Sequence, residues 1–294
     1  MELGQLLLNA LVLGASYALV ALGFVLVLNA TAAANFAHGE LVMAGGMLAV
    51  ALATVLPLGD VVPGLLVLPL VLVVMAGVGL LFSLVAYFPL RRGPPVSVFI
   101  STIAVGIMLQ HAIKAAMGPA ERAAPPLLAG PQLDLAGLIV SRQALATLAI
   151  AALLIGGTAL LLQRTQFGRR LRASAQDPEM ARAVGVPVRA MIASSFALGT
   201  ALAGAAGLLF ANSYFVSPES GGNLMIKAYI AVVIGGWGSV PGALAGALMI
   251  ALFEVGVAAW LSSPVAEAAL YGALLLTLVL RPQGLFGEPI GRRV

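Results

Sequence analysis

Apolar residues run through this chain in long blocks, interrupted by charge only at wide intervals. No Asp, Glu, Lys or Arg occurs over 3–39, 61–90, 93–113, 143–163, 190–218 or 228–253, and shorter charge-free runs cover 41–59, 255–266 and 268–280. A hydrocarbon core of roughly 30 Å is crossed by about 20 apolar residues in a helix. The blocks therefore predict crossings at about 6–28, 40–56, 64–88, 96–113, 144–162, 190–211, 224–236, 241–260 and 265–281. The stretch 224–236 is short for a crossing and reads equally as re-entrant. Prolines punctuate the pattern: Pro57 and Pro63 bracket one turn, Pro94 and Pro95 follow another, and Pro119, Pro125, Pro126 and Pro131 stiffen a long loop over about 114–142. That loop has no apolar periodicity and is expected along the membrane surface.

Composition makes the class firm. Hydrophobic residues make up 61% of the chain and charged residues 9%, where a soluble domain carries about 25% charged residues. The expected fold is an all-α polytopic membrane protein of about 8–9 transmembrane helices, with broken or re-entrant segments and two pseudo-repeated halves. It forms a single transmembrane domain over 1–294, with no soluble domain attached. MELGQLLL has no basic residues ahead of its apolar run, and that run is too long for a cleaved signal. Cysteine is absent, which removes disulfides and thiolate metal sites.

The isoelectric point near 9.9 could suggest nucleic acid, but the basic residues fall in short segments between apolar blocks, where topology explains them. Nine crossings place the termini on opposite sides, and the positive-inside rule orients them. With the C-terminus cytoplasmic, the inner side holds Arg91, Arg92, six arginines between 164 and 189, Arg281, Arg292 and Arg293. Those are eleven of the 15 basic residues. Lys114, Arg122, Arg142 and Lys227 stay outside.

Two stretches break the apolar pattern with polar and glycine residues. Residues 29–46 read NATAAANFAHGELVMAGG, and 235–246 read GGWGSVPGALAG. Gly46 and Gly246, Leu48 and Leu248, and Ala51–Leu52 and Ala251–Leu252 match at an offset of 200. Interrupted spans at corresponding places in two halves point to a transport path. Unwound backbone survives in a membrane only where it is buried in protein or faces water. Asn29, Asn35, His38, Glu40, Gly235, Gly236, Gly238 and Ser239 are therefore the candidates for a translocation path. The plainer alternative for the first stretch is an ordinary inner turn with Asn35 capping the next helix.

Three ionisable residues lie in or beside apolar runs: Glu40, Lys227 and Glu254. A charge at a helix centre costs about 2.5–3.5 kcal/mol on insertion scales. Glu254, the most deeply placed, is expected to be buried against a neighbouring helix in a structural hydrogen bond. Lys227 is expected to snorkel to the outer interface. Small residues four apart, Gly199–Ala203, Ala203–Gly207 and Gly242–Gly246, predict close helix contacts.

Several chemistries are missing. The only two lysines, in AIKAA and MIKAY, do not form a phosphate-binding GxxxxGK[ST] loop. His38 and His111 have no metal-ligand spacing, and no GxSxG is present, so neither a metal site nor a catalytic residue is assigned.

The largest inner segment, about 164–189, carries its own signal. Asp177 before Pro178 reads as an N-cap with proline at the first helical position, Glu179 favours the same end, and Gly185 reads as the stop. This predicts a short helix over 178–184, suited to docking in a cleft on a cytoplasmic partner. Its basic neighbour over 168–175 is amphipathic.

Taken together, NFAHGE, GRRLRASAQDPEMARAVGVPV, FALGTALAGAAGLL and KAYIAVVIGGWGSVPGALAGALMIALFE resemble blocks of the branched-chain amino-acid ABC transporter permease family. The similarity is nearest to its H-type (LivH-like) inner-membrane subunit and spans nearly the whole chain. The resemblance implies a permease paired with a second, M-type permease, served by two cytoplasmic ATP-binding-cassette ATPases and a periplasmic substrate-binding protein. ATP would be used by those partners, with no cofactor on this chain. It also implies an ATPase-coupling role for Arg172, Asp177, Pro178, Glu179, Ala181, Arg182 and Gly185. Related permeases for urea and short amides share these blocks, and a stand-alone secondary transporter is the rival outside the family.

Overall fold

The computed structural model describes residues 2–55, 64–128, 130–135 and 138–286. Pro57, Pro63, Arg292 and Arg293 lie outside the described residues. Eight helices among them are long and apolar enough to cross a membrane. These are α1 (Glu2–Thr31), α2 (His38–Val55), α3 (Gly64–Phe82, extended by a π turn over Ser83–Tyr87), α4 (Pro95–Met117), α5 (Arg142–Arg164), α8 (Val188–Ser213), α10 (Val240–Trp260) and α11 (Ser263–Leu280). Between α5 and α8 lie α6 (Gln166–Gln176) and α7 (Pro178–Ala183), and α9 (Ser220–Gly235) precedes α10. At 16 residues, α9 spans only about 24 Å.

The helices are ordered around α1. Its whole length after the first turns is buried, from Ala10 to Leu28 almost without interruption. It lies against α10 and α8, with α9 and α5 also in contact, while α2 and α3 pack on α8. Such close packing needs small residues. A Cβ at Gly23 would stand 2.6 Å from the Gly199 carbonyl oxygen, and one at Gly199 would stand 2.8 Å from that of Gly23. Gly204 and Gly207 bring α8 equally close to α2 at Gly45 and Gly46, so the small-residue stripe acts as the helix interface read from the sequence.

The outermost helices show large apolar side chains, Met108 and Ile100 on α4, Leu275 and Val279 on α11. Such a surface suits lipid and would be a liability in water.

One end of the bundle gathers Arg91, Arg92, Arg164 and the arginines of α6–α8; we call it the basic end. At the far end, the loop after α4 does more than lie on a surface. Arg122 and Val216 exchange backbone hydrogen bonds at 2.9 Å, Ala124 N–H donates to Ala211 O at 3.0 Å, and Leu127 is fully buried. Residues Leu133–Leu135 (β1) and Leu138–Val140 (β2) form an antiparallel pair with Leu133 opposite Val140. Proline-rich spacing hides such a hairpin, because three residues per strand are too few to show alternation.

Candidate functional site

Both breaks read from the sequence exist. The first runs from Ala32 to Ala37. Thr31 Oγ1 closes the end of α1 by donating to Val27 O at 2.7 Å, and Ala32 sits at φ +54°, in the left-handed region that costs a side chain energy. The chain then turns back into the bundle. His38, the first residue of α2, bonds through Nε2 to Val20 O at 3.1 Å. Val20 lies eleven residues before the end of α1, about 16 Å of helical rise. Phe36 N–H donates to Thr102 Oγ1 at 3.3 Å, on the second turn of α4. The segment is thus a re-entrant strap, and α2 starts inside the bundle instead of at its edge. Asn35 does not cap α2 itself but closes the turn ahead of it, its Oδ1 accepting from Ala37 N–H at 3.1 Å and its carbonyl from His38 N–H at 3.2 Å. The turn and the helix break are one structure.

Polar atoms at this strap are incompletely paired. A carbonyl only accepts, so His38 Nε2 carries the proton and Nδ1 is the bare acceptor. His38 Nδ1, Asn35 Nδ2 and Glu40 Oε2 are buried with no hydrogen-bond partner among the described residues. Glu40 lies between α4, where a Cβ at Gly106 would stand 3.4 Å from its Cγ, and α9, where one at Gly221 would stand 2.7 Å from its Oε1. An unpaired buried polar atom costs about 1–3 kcal/mol. His38 faces α1 and Glu40 faces α4 and α9, so these atoms flank the strap on two sides, where water or a solute would satisfy them.

The second break, Gly236–Ser239, is held differently. Gly236 and Gly238 have φ +119° and +81°, open to glycine alone without strain. Ser239 caps α10 by accepting from Gly242 N–H at 3.1 Å. The carbonyls freed at the end of α9 are taken by the segment after α11: Leu285 N–H donates to Ile234 O at 2.8 Å and Phe286 N–H to Gly235 O at 2.9 Å. Asn29 Nδ2 donates to Gly238 O at 2.9 Å, so the last turn of α1, just ahead of the first break, touches the second. A chain of rings joins them as well, Phe36 to Tyr229, Tyr229 to Trp237 and Trp237 to Phe24, which meets His38 at 5.9 Å.

Glu254 forms the hydrogen bond to neighbouring helices expected of it, with two partners. Lys227 Nζ lies 2.6 Å from its Oε1, and Tyr17 Oη donates to Oε2 at 3.0 Å while accepting from Lys227 at 2.9 Å. This corrects the snorkelling expected of Lys227, whose side chain is only 14% exposed. In a medium of low dielectric, a carboxylate within reach holds the ammonium more strongly than a stretch to the interface rewards it. Tyr17 escapes a sequence reading: it is one of three hydroxyl residues in the charge-free run 3–39, and nothing local announces its partners.

At the basic end, α6 and α7 form a projecting knob. Asp177 Oδ1 accepts from Glu179 N–H at 3.0 Å and Met180 N–H at 2.9 Å. The other end closes with Val186 N–H on Ala181 O, Gly185 N–H on Arg182 O, and Gly185 at φ +81°, the paired closure that glycine-ended helices use. The helix stops at Ala183, one residue before the expected 184. Arg172 donates through Nη1 to Leu162 O and ties α6 to α5. Ala181 is buried, whereas Asp177, Pro178, Glu179 and Arg182 are exposed, and Met180 and Val184 stand 64% and 77% exposed at the tip. Behind the knob a crevice of about 620 Å³ is lined by Pro178, Arg182, Arg91 and Arg92 on one side and by Asn29 and Thr31 on the other. Knob and first break therefore share one cavity.

Comparison with known proteins gives a full-length match. Residues 6–279 match the family described as "Branched-chain amino acid transport system / permease component". The chain is 33% identical to the high-affinity branched-chain amino acid transport system permease protein BraD of Pseudomonas aeruginosa, over 97% of this chain and 96% of that one. It is 30% identical to the LivH permease protein of Escherichia coli K12 over the same shares. A probable branched-chain amino acid transport permease protein LivH of Methanocaldococcus jannaschii is 32% identical over 92% of this chain and 88% of its own.

Proposed function

The chain belongs to the family of branched-chain amino acid transport system permease components, and from that membership we propose that it is the transmembrane permease subunit of an ATP-binding-cassette importer. It moves branched-chain, hydrophobic amino acids from the periplasm to the cytoplasm of a bacterial cell through the inner membrane. The basic end and the C-terminus are cytoplasmic, as the positive-inside rule favours. ATP is hydrolysed on two separate cytoplasmic subunits, a second M-type permease completes the path, and a periplasmic binding protein delivers the solute.

The observation that carries this reading is the α6–α7 knob on a full-length family permease. It is capped at both ends, buried only at its root, and apolar at its tip through Met180 and Val184. A short rigid helix with exposed apolar residues suits insertion into a cleft of a partner. Because α6 packs against α1, whose last residues Asn29 and Thr31 line the crevice behind the knob, a push on the knob reaches the strap before α2. The rival secondary transporter needs a titrating group on its path. Glu254 is already paired with Lys227 and Tyr17, which leaves Glu40 as its candidate. Leucine uptake without an ATPase is the result that would favour it.

The test is co-purification and transport. The intact chain is expected to bring down the ATPase and the second permease, and the reconstituted complex to accumulate L-leucine with ATP and binding protein. Changing Asp177, Pro178 and Glu179 together to Gly releases the ATPase alone. ATP-driven uptake of urea or acetamide but not leucine would replace the substrate, and leucine uptake without any ATPase would replace the mechanism.

A further inference from the structure

At the end opposite the knob, between the last turn of α8 and the first turns of α9, lies a cavity of about 340 Å³, within the range of small-molecule sites. Its lining includes Phe210, Phe215, Glu219, Asn223, Leu224 and Lys227. Both signs of charge are present, with an apolar flank between them. The geometry points to a binding subsite for one zwitterionic α-amino acid with an aliphatic side chain, its carboxylate on Lys227 and its ammonium on Asn223 and Glu219.

The hydrogen-bond count at each end supports this. An ammonium has three N–H donors. Lys227 gives one to Glu254 and one to Tyr17, leaving a third for the cavity that it lines. Both Glu254 oxygens are engaged, Oε1 by Lys227 and Oε2 by Tyr17, so the pair is fixed in place. Asn223 donates through Nδ2 to Glu267 at 2.6 Å, which orients its Oδ1 as an acceptor. Glu219 is paired with Lys114 across an exposed contact at 2.5 Å. That ammonium holds the Glu219 carboxyl below the usual carboxylate range, so the group is an anion when solute arrives. An exposed pair is worth little and exchanges readily for a second ammonium. Phe210, Phe215 and Leu224 provide the surface that an aliphatic side chain would cover.

The inference rests on the amino-acid importer reading, and adds where the solute is first held by this chain. The chain contains no cysteine, so a Ser217→Cys variant places one thiol on it, beside the cavity. The complex with its permease and ATPase partners, in proteoliposomes, is treated with a membrane-impermeant methanethiosulfonate, and label on this chain is read by mass spectrometry. L-leucine at ten times its half-protecting concentration should slow labelling by about tenfold. Leucinamide and 4-methylpentanoate, each lacking one charged end, should need concentrations at least about tenfold higher, the worth of a charge-assisted hydrogen bond. The double variant Lys227→Met with Glu254→Gln removes both charges together, so it leaves no orphaned ion, and it should abolish protection. Labelling indifferent to leucine in a complex that still accumulates leucine would overturn the subsite alone. A complex that accumulates no leucine, with binding protein and ATP supplied, would overturn the importer reading and the ligand with it.

Discussion

The two helix breaks are linked through Asn29, in the last turn of α1, and Gly238, yet they are held by different means. The second is closed by protein. Its freed carbonyls accept from Leu285 and Phe286, its left-handed positions are glycines, and Ser239 caps the helix that follows. The first climbs back about 16 Å into the bundle and arrives with Asn35 Nδ2, His38 Nδ1 and Glu40 Oε2 unpaired. It even keeps a side chain at positive φ, Ala32. Similar glycine and polar signals thus mark two different devices. The second break is a clasp, and under the importer reading we assign the first, with its unpaired polar groups, to the path of the solute.

The contrast can be broken from either side. The largest effect is expected where the strap meets α9. A Cβ at Gly39 would press on the Met225 side chain at 2.5 Å and on the Gly221 backbone, so Gly39→Val should cost roughly 3 kcal/mol or more by overpacking and abolish recovery of folded protein in size-exclusion runs. Gly222→Ala, with open space around it, is the matched control and should elute unchanged.

Next comes the ion pair that anchors α9, the helix leading into the clasp. Glu254→Gln leaves Lys227 without its counter-charge and should destabilise by roughly 2–3 kcal/mol, less than for a fully buried pair because both side chains keep some exposure, read as a lowered melting temperature in detergent. Adding Lys227→Met should recover most of that loss. Smaller and opposite in sign are the two left-handed positions. Gly238→Ala should cost about 1–2 kcal/mol, whereas Ala32→Gly should stabilise or be neutral, because it relieves a comparable strain at the price of about 1 kcal/mol of unfolded-state entropy. Asn29→Ala, which opens the clasp at one hydrogen bond, should cost about 1 kcal/mol.

Much of this was legible in the chain because it is local. Charge-free runs marked the spans, and Asp177–Pro178 with Gly185 marked α7 nearly to its last residue. Glycine and polar residues marked both breaks. What stayed hidden depends on partners distant in sequence. The offset of 200 residues matched Gly46 with Gly246, but Gly46 packs against Gly207 of α8 while Gly246 packs against Ala231 of α9. Composition records that both are helix contacts, and cannot say with which helix. Nor does a pattern of apolar residues reveal that Leu285 and Phe286 return to α9, or that Tyr17 waits for Lys227. The depth of the break at 32–37 was hidden for the same reason: it is set by His38 on Val20 and Phe36 on Thr102, contacts 18 and 66 residues apart.

The most direct test of the contrast separates stability from transport at one atom. Glu40→Gln keeps the shape of the side chain beside the strap and replaces a carboxyl that has one oxygen buried without a partner among the described residues. In the reconstituted complex, the melting temperature should stay the same or rise, while ATP-driven leucine uptake falls by on the order of tenfold, as when an interaction worth about 1.4 kcal/mol is lost. Uptake unchanged in a protein of unchanged stability would contradict the assignment of the first break to the path.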